Sequence, residues 1–250
     1  YVSTCKSPMS MFGALIKQYH TDRGFDDREV ISVAVMPCTA KKMEAGRDEF
    51  ITHGMHDVDT VITTQELIKM IKEVGIQFDE IDAESPDMPF ALYSGAGVIF
   101  GVTGGVTEAV IRRLSDDQTP KALHEIEFTG VRGMEGVKEF TFNIGGLDLR
   151  IGVVSGLGNA ESLIKKIVSK EEHFDFVEVM ACPGGCVSGA GQPVGTWESK
   201  KARANGLYKD DKVCQMKRSQ ENPTVKALYD DLLKNRTSEL LHVHYHKTEE

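Results

Sequence analysis

The stretch "LDLRIGVVSGLGNAESLIKKIVS", residues 147–169, reads as strand, glycine turn and helix in succession. An apolar, β-branched run is broken by glycines and followed by apolar residues at helical spacing. "FDFVEVM" (174–180) then supplies another strand. The same alternation stands upstream. "EVISVAVM" (29–36) has the composition of a buried parallel strand and ends where "PCTAKK" demands a loop. "DTVITT" (59–64) is a second such strand. Thr63 or Thr64 can cap the helix "QELIKMIKEVG", which Gly75 ends. Strands alternating with helices predict an α/β fold with parallel sheet. "FDEIDAESPDMP" (78–89) and "DDQTPKALHE" (116–125) read as surface loops, and there is no internal repeat or low-complexity tract.

With 250 residues, 40% apolar and 27% charged, the chain has ample material for one large domain or two lobes. No stretch reaches the roughly 18 uncharged apolar residues of a membrane helix, and no basic segment precedes an apolar one near the start. A cytoplasmic location is expected. A formal charge of -9 with no basic face argues against a nucleic-acid partner. Five cysteines, an odd number, fit a reduced compartment with metal-binding or reactive thiols better than a disulfide framework. The opening "YVSTCKSPMSMFGALIKQYH" lacks an initiator Met and is already amphipathic, so residue 1 is expected not to be the natural beginning.

In α/β folds ligands gather at the carboxyl ends of strands. Cys38 follows the strand ending near Met36, and Cys182 the strand ending near Met180. Cys182 and Cys186, with two glycines between them, can face one centre if the turn opens a helix. Two inert buried thiols are the plainer alternative, but a glycine-dense strand end suits them poorly. Cys38 stands before two lysines, which would lower its thiol pKa. Three sulfur ligands without a nearby histidine suit iron–sulfur chemistry better than zinc, and a cubane then lacks one ligand. Cys5 is read as a small buried residue and Cys214 as structural. "YSGAGVIFGVTGGV" (93–106) is so rich in glycine that its backbone must approach something closely or take positive φ. Ser94, Gly95 and Gly101 are therefore expected to border a cofactor. Met36 and Met180, at equivalent places before the two cysteine segments, suggest the lining of its cavity. "VSGLGN" (154–159) lacks the full dinucleotide spacing, and His242, His244 and His246 read as a surface edge; the other histidines have no companions at ligand spacing.

"VMPCTAKKMEA" (35–45) and "VEVMACPGGCVSGAGQP" (177–193) resemble the second and third signature motifs of the iron-iron (FeFe) hydrogenases, in order and at a plausible separation. "STCKSP", "VITTQEL", "SGAGVIFGVTGGVTEA", "VRGMEGVKE", "ENPTVKALYDDLL" and "ELLHVHY" resemble further family segments, so the likeness covers essentially the whole chain. It implies two lobes with mainly parallel sheets flanked by helices and the cofactor between the lobes. That cofactor is the H-cluster, a 4Fe–4S cubane joined to a diiron unit bearing CO, cyanide and a bridging dithiolate amine; the reaction is reversible interconversion of protons and electrons with H2. By the resemblance, Cys38, Cys182 and Cys186 ligate the cubane, and Cys186 also bridges to the diiron unit. Lys41 matches a lysine that hydrogen-bonds a cyanide, Met36, Met180 and Phe100 match residues around the diiron unit, and Ser3 matches a serine of the proton relay. Glu44 matches a second-motif glutamate and is read as structural.

The family's first motif, T-S-C-C-P, is not in this sequence. The resemblance puts it just upstream, with the fourth cubane ligand, so the chain alone is expected not to turn over hydrogen. Ala190 stands where the family usually has Gly, and Met9 where Gln is common. The partners implied are the missing N-terminal portion, in the same or another chain, and a ferredoxin-like electron carrier acting through further 4Fe–4S or 2Fe–2S clusters in upstream domains. The competing reading is a non-catalytic relative: a prelamin-recognition-factor-like iron–sulfur assembly protein or a hydrogen sensor.

Overall fold

Every stretch in which apolar spacing switches from period two to helical spacing forms the expected pair of elements. The structure, a computed structural model, describes residues 2–25, 30–115, 132, 133 and 136–245. The loop expected over 116–125, with His124, and His246 lie outside the described residues.

The chain divides into two compact units, Tyr1–Ala83 with Ala190–Pro193 and Lys226–Glu250, and Glu84–Gly189 with Val194–Val225. The first unit takes α1 (Pro8–Thr21), β1 (Val33–Met36), α2 (Ala40–Ala45), β2 (Ile51–Thr52), β3 (Met55–His56), β4 (Thr60–Thr63) and α3 (Thr64–Val74). The second takes α4 (Gly95–Val98), α5 (Gly105–Leu114), β5 (Val137–Ile144), β6 (Leu147–Ser155), α6 (Leu157–Val168), β7 (Phe176–Met180) and α7 (Trp197–Val213). α8 (Pro223–Asp230) leads back to the first unit, which α9 (Thr237–Leu241) completes. No helix among the described residues is long and apolar enough to cross a membrane.

In the first unit β1 and β4 pair in parallel, from Val33 opposite Thr60 to Met36 opposite Thr63. α3 starts on a reciprocal cap. The Thr63 hydroxyl accepts from Glu66 N–H at 3.2 Å, and the Glu66 carboxylate accepts from Thr63 N–H at 2.7 Å. Gly75, at φ 79°, closes the helix. β1 lays Ala34 and Met36 on a core of Met9, Ala45, Val58 and Val61. Its other face corrects the expectation of a buried strand, because Val33 and Val35 are 56% and 43% exposed. A second core joins Ala14 and Leu15 of α1 to Leu240 and Leu241 of α9. The N-terminal segment is fastened by Lys6, whose ammonium reaches Asp57 at 2.7 Å, with both side chains buried. Val243 N–H donates to Thr4 O and Lys6 N–H to Leu241 O, forming an antiparallel bridge opposite Cys5. Cys5 is exposed there, not buried as expected: its neighbours Thr4 and Lys6 make the bridge's hydrogen bonds, and its own N–H donates to Ser3 Oγ.

The second unit holds a three-stranded sheet in the order β5-β6-β7. β6 and β7 run parallel from Ile151 opposite Phe176 to Ser155 opposite Met180, with α6 between them in sequence. β5 adds an antiparallel edge, so the sheet is mixed rather than uniformly parallel. Gly145 and Gly146, at φ 57° and 87°, make the tight turn between β5 and β6. Ile151 packs on Ile111 of α5, while Val154 packs on Ala160 and Leu163 of α6, so both faces of β6 are covered. α5 is held to α7 by a buried charge cluster. Arg112 donates to both carboxylate oxygens of Asp211 at 2.8 Å and pairs with Glu108, and Arg132 reaches both acids from the edge.

Removing one member of such a cluster strands the remaining charges in a dry interior. Arg112→Met should therefore lower the unfolding free energy by about 3–5 kcal/mol in chemical denaturation. Lys165→Ala, which removes an exposed helix-surface pair with Glu161, should leave the midpoint unchanged. Equal midpoints for wild type and Arg112→Met would show that the cluster does not hold α5 in place.

Candidate metal centre

Past Met180 the second unit turns sharply. Gly184 and Gly185 both take the left-handed region, at φ 90° and 92°. Gly185 N–H donates to Cys182 O at 2.9 Å, and a single helical turn, Cys186–Ser188, follows. The two cysteines thus flank a turn, with Cys182 before it and Cys186 opening the helix, rather than sharing one helical face as the spacing suggested. The turn is seated on backbone. A Cβ at Gly185 would stand 2.7 Å from Thr103 N and 2.8 Å from Val102 C. Thr103 N–H donates to Gly184 O at 3.3 Å, Gly184 N–H to Ser155 Oγ at 2.8 Å, and Arg203 Nη1 to Val187 O at 3.1 Å. Cys182 is half-buried and Cys186 exposed.

The glycine-rich stretch 93–106 does bring its backbone close to something. At Gly95 and Gly101 that something is α7: an added Cβ would meet Asp211 Oδ1 at 2.1 Å and Leu207 Cδ1 at 2.6 Å. Ser94 is buried and caps α4 by accepting from Gly97 N–H at 3.4 Å. Phe100 is half-buried in the one-turn helix Ile99–Gly101. Met180 ends β7, and its carbonyl accepts from Gly156 N–H at 2.7 Å. Glu178, two residues earlier, is a buried carboxylate that accepts three hydrogen bonds.

In the first unit Cys38 lies between β1 and α2 and is half-buried. Its loop is pinned by Gly191, whose N–H donates to Pro37 O at 3.0 Å and whose carbonyl accepts from Gln65 N–H at 3.0 Å. A Cβ at Gly191 would stand 2.8 Å from Cys38 N. Lys41 pairs with Glu44, which also accepts from the Ser7 hydroxyl and, at 2.7 Å, from Ser10 Oγ. Burial pushes the Glu44 carboxyl up, but Lys41 and the two hydroxyls outweigh it and hold the group below the ordinary carboxylate range. Ser3 is exposed, and its Oγ accepts from Cys5 N–H at 3.2 Å. Met36 packs on the Met9 core.

The donor set suits an iron–sulfur group. None of the five cysteines is in a disulfide, and the Ser188 hydroxyl, two residues after Cys186 and shielded from solvent, has no partner among the described residues. No three His, Cys, Asp or Glu side chains among the described residues converge on a point that could hold a single metal ion. A cluster several ångströms across does not require that convergence.

Residues 1–190 match the family model of the iron-only hydrogenase large subunit, C-terminal domain, and residues 198–248 that of the iron hydrogenase small subunit. The chain belongs to the iron-only hydrogenase family. It is 45% identical over 252 residues to the NADP-reducing hydrogenase subunit HndD of Solidesulfovibrio fructosivorans, covering 98% of this chain and 43% of that protein. A solved variant of the [FeFe]-hydrogenase HydA1 from Chlamydomonas reinhardtii superposes with a TM-score of 0.82 at 37% identity, covering 98% of this chain and 70% of that one. The cytosolic Fe-S cluster assembly factor narfl of Xenopus tropicalis is 28% identical over 262 residues, covering 100% of this chain and 54% of that protein. The chain spans about half the length of the curated relatives it matches.

Several residues that frame the cysteine segments are marked only weakly in the sequence. Glu178 carries a visible signal, a single charge inside an apolar strand; Gly191 and Gln65 lie in family-like segments, but nothing local marks their contacts or that of Ser155, because their partners are remote in sequence.

Two measurements check this geometry. Gly185→Ala should cost about 1–3 kcal/mol or more through backbone strain alone, in addition to the clash with Val102 and Thr103, whereas Gly158→Ala, with open space around it, should gain up to about 1 kcal/mol; equal denaturation midpoints would contradict the seating of the turn. The lowered Glu44 pKa means that its stabilising contribution is present above the ordinary Glu value of 4.5 and disappears as pH falls through the lowered value. The stability difference between wild type and Glu44→Gln should hold at neutral pH and vanish in acid; a difference that persists in acid would mean the ionised carboxylate is not its source.

Proposed function

We propose that this chain is the C-terminal part of the catalytic domain of an FeFe hydrogenase, in which Cys38, Cys182 and Cys186 are three of the four thiolates of a 4Fe–4S cubane and Cys186 also joins the diiron unit of an H-cluster. The observation that carries the reading is the placement of both cysteine segments at the carboxyl ends of parallel strands, β1 and β7, in a chain whose first 190 residues match the large-subunit model. When bound, the H-cluster supplies reversible interconversion of two protons and two electrons with H2.

The chain's own residues hold and surround that group. The glycine turn keeps Cys182 and Cys186 in a fixed backbone frame, and Gly191 does the same for Cys38. Lys41, with Glu44 fixing its side chain, supplies a cation for an anionic cyanide ligand. Met36, Met180 and Phe100 provide soft, apolar surroundings that keep water from reactive iron. The Ser3 hydroxyl can accept one proton and donate another, as a relay step requires. The fourth cubane thiolate comes from the portion bearing the T-S-C-C-P motif, and electrons are exchanged with a ferredoxin-like carrier through further clusters there.

A second reading, an iron–sulfur assembly protein, draws on the 28% identity to narfl. The 45% identity to HndD favours the hydrogenase.

Combining the chain with the portion that carries the first motif, loading the diiron cofactor and recording gas evolution and infrared spectra separates the two. The hydrogenase reading predicts H2 evolution and CO and cyanide bands, lost in Cys186→Ala and retained in Cys214→Ala. A plain cubane with neither gas nor bands would transfer support to the assembly reading.

A further inference from the structure

Glu178 is the only charged residue of β7 and is 5% exposed. Its Oε1 accepts from Gly104 N–H at 2.7 Å; its Oε2 accepts from Thr107 N–H at 2.7 Å and from Thr107 Oγ1 at 2.8 Å. These N–H groups belong to the first turn of α5 and its cap, where no intrahelical partner exists for them. Gly104 caps α5 at φ 89° with no side chain to offer, so a strand residue 74 positions away performs the capping.

The consequence reaches the cysteines. The backbone of Val102 and Thr103, immediately before Gly104, is the surface on which Gly185 rests, and Thr103 N–H holds Gly184 O. Thr103 Oγ1 also donates to Ser155 Oγ, the acceptor for Gly184 N–H. Glu178 therefore fixes the seat of the Cys182–Cys186 turn from below while β7 delivers Cys182 to it.

The carboxylate's charge is met by three hydrogen bonds at the N-terminus of α5 and by no counter-ion among the described residues. Burial pushes its carboxyl above the ordinary range, and the three donors oppose that shift without reversing it. Both oxygens accept, and two of the three bonds come from backbone N–H groups, which can only donate. No basic side chain among the described residues bonds or pairs with it. Four residues of extended strand put it at most about 13 Å from Cys182. A dry anion at that range opposes the addition of an electron far more than one in water does.

We propose that Glu178 is a positioning residue for the Cys182–Cys186 turn and that its charge lowers the reduction potential of the cluster held there, an inference that rests on the function proposed above. The test compares Glu178→Gln, Glu178→Asp and the surface control Glu161→Gln in the reconstituted protein joined to its first-motif portion, reading iron per chain and an EPR-monitored redox titration of the cubane. Glu178→Gln should shift the potential upward. Glu178→Asp keeps the charge but shortens its reach, and should hold the wild-type potential while losing iron; Glu161→Gln should change neither. A wild-type potential in Glu178→Gln overturns the electrostatic role, and full iron content in Glu178→Asp overturns the positioning role. A wild-type protein that takes up no cubane overturns the proposed function itself, and the inference with it.

Discussion

No side chain can stand at residue 185. The backbone of Val102 and Thr103 occupies the space a Cβ would need, and the chain there runs at a φ that only glycine adopts freely. That contact joins three parts of the second unit: the end of β7, the loop before α5, and, through Ser155, the end of β6. A turn pressed onto backbone cannot drift as one pressed onto flexible side chains can, and rigid presentation of thiolates is what a multinuclear cluster requires of its protein.

The first unit solves the same problem by another route. Cys38 leaves β1 between a proline and a short helix, and Gly191 is tied to Pro37 on one side and Gln65 on the other. Lys41 is not a loose surface charge. Its pairing with Glu44, itself held by Ser7 at the cap of α1 and Ser10 in its first turn, fixes the ammonium at the cost of confining two polar side chains. Both units thus show a thiol of ordinary exposure on a backbone frame of unusual constraint.

Much of this was legible in the residues. The β6–α6–β7 run was plain because the apolar spacing changes at Gly156, and the start of α3 because Thr63 and Glu66 stand three apart. β5 has a local signal too, since Gly145-Gly146 follows an alternating run, the ordinary mark of a hairpin. The full burial expected of β1 failed for Val33 and Val35, since composition reports what a strand can bury and not which of its faces is covered. The cysteines and the family were visible because thiols and glycines in a fixed order are rare. The residues that hold them were not, because each acts on a partner brought near only by folding: Glu178 on Gly104, Gln65 on the carbonyls of Ala190 and Gln192. Glycines at 95 and 101 were legible as places of close approach, but not as contacts with α7.

In the function proposed above, Cys38, Cys182 and Cys186 serve one iron–sulfur cluster. Iron K-edge X-ray absorption of the reconstituted protein joined to its first-motif portion tests that most directly. The account predicts a first shell of sulfur with clear iron–iron scattering beyond it, and loss of the iron–iron shell when Cys38, Cys182 or Cys186 is replaced by Ala but not when Cys5 or Cys214 is. An oxygen and nitrogen shell, or an iron–iron shell indifferent to those three cysteines, would contradict it.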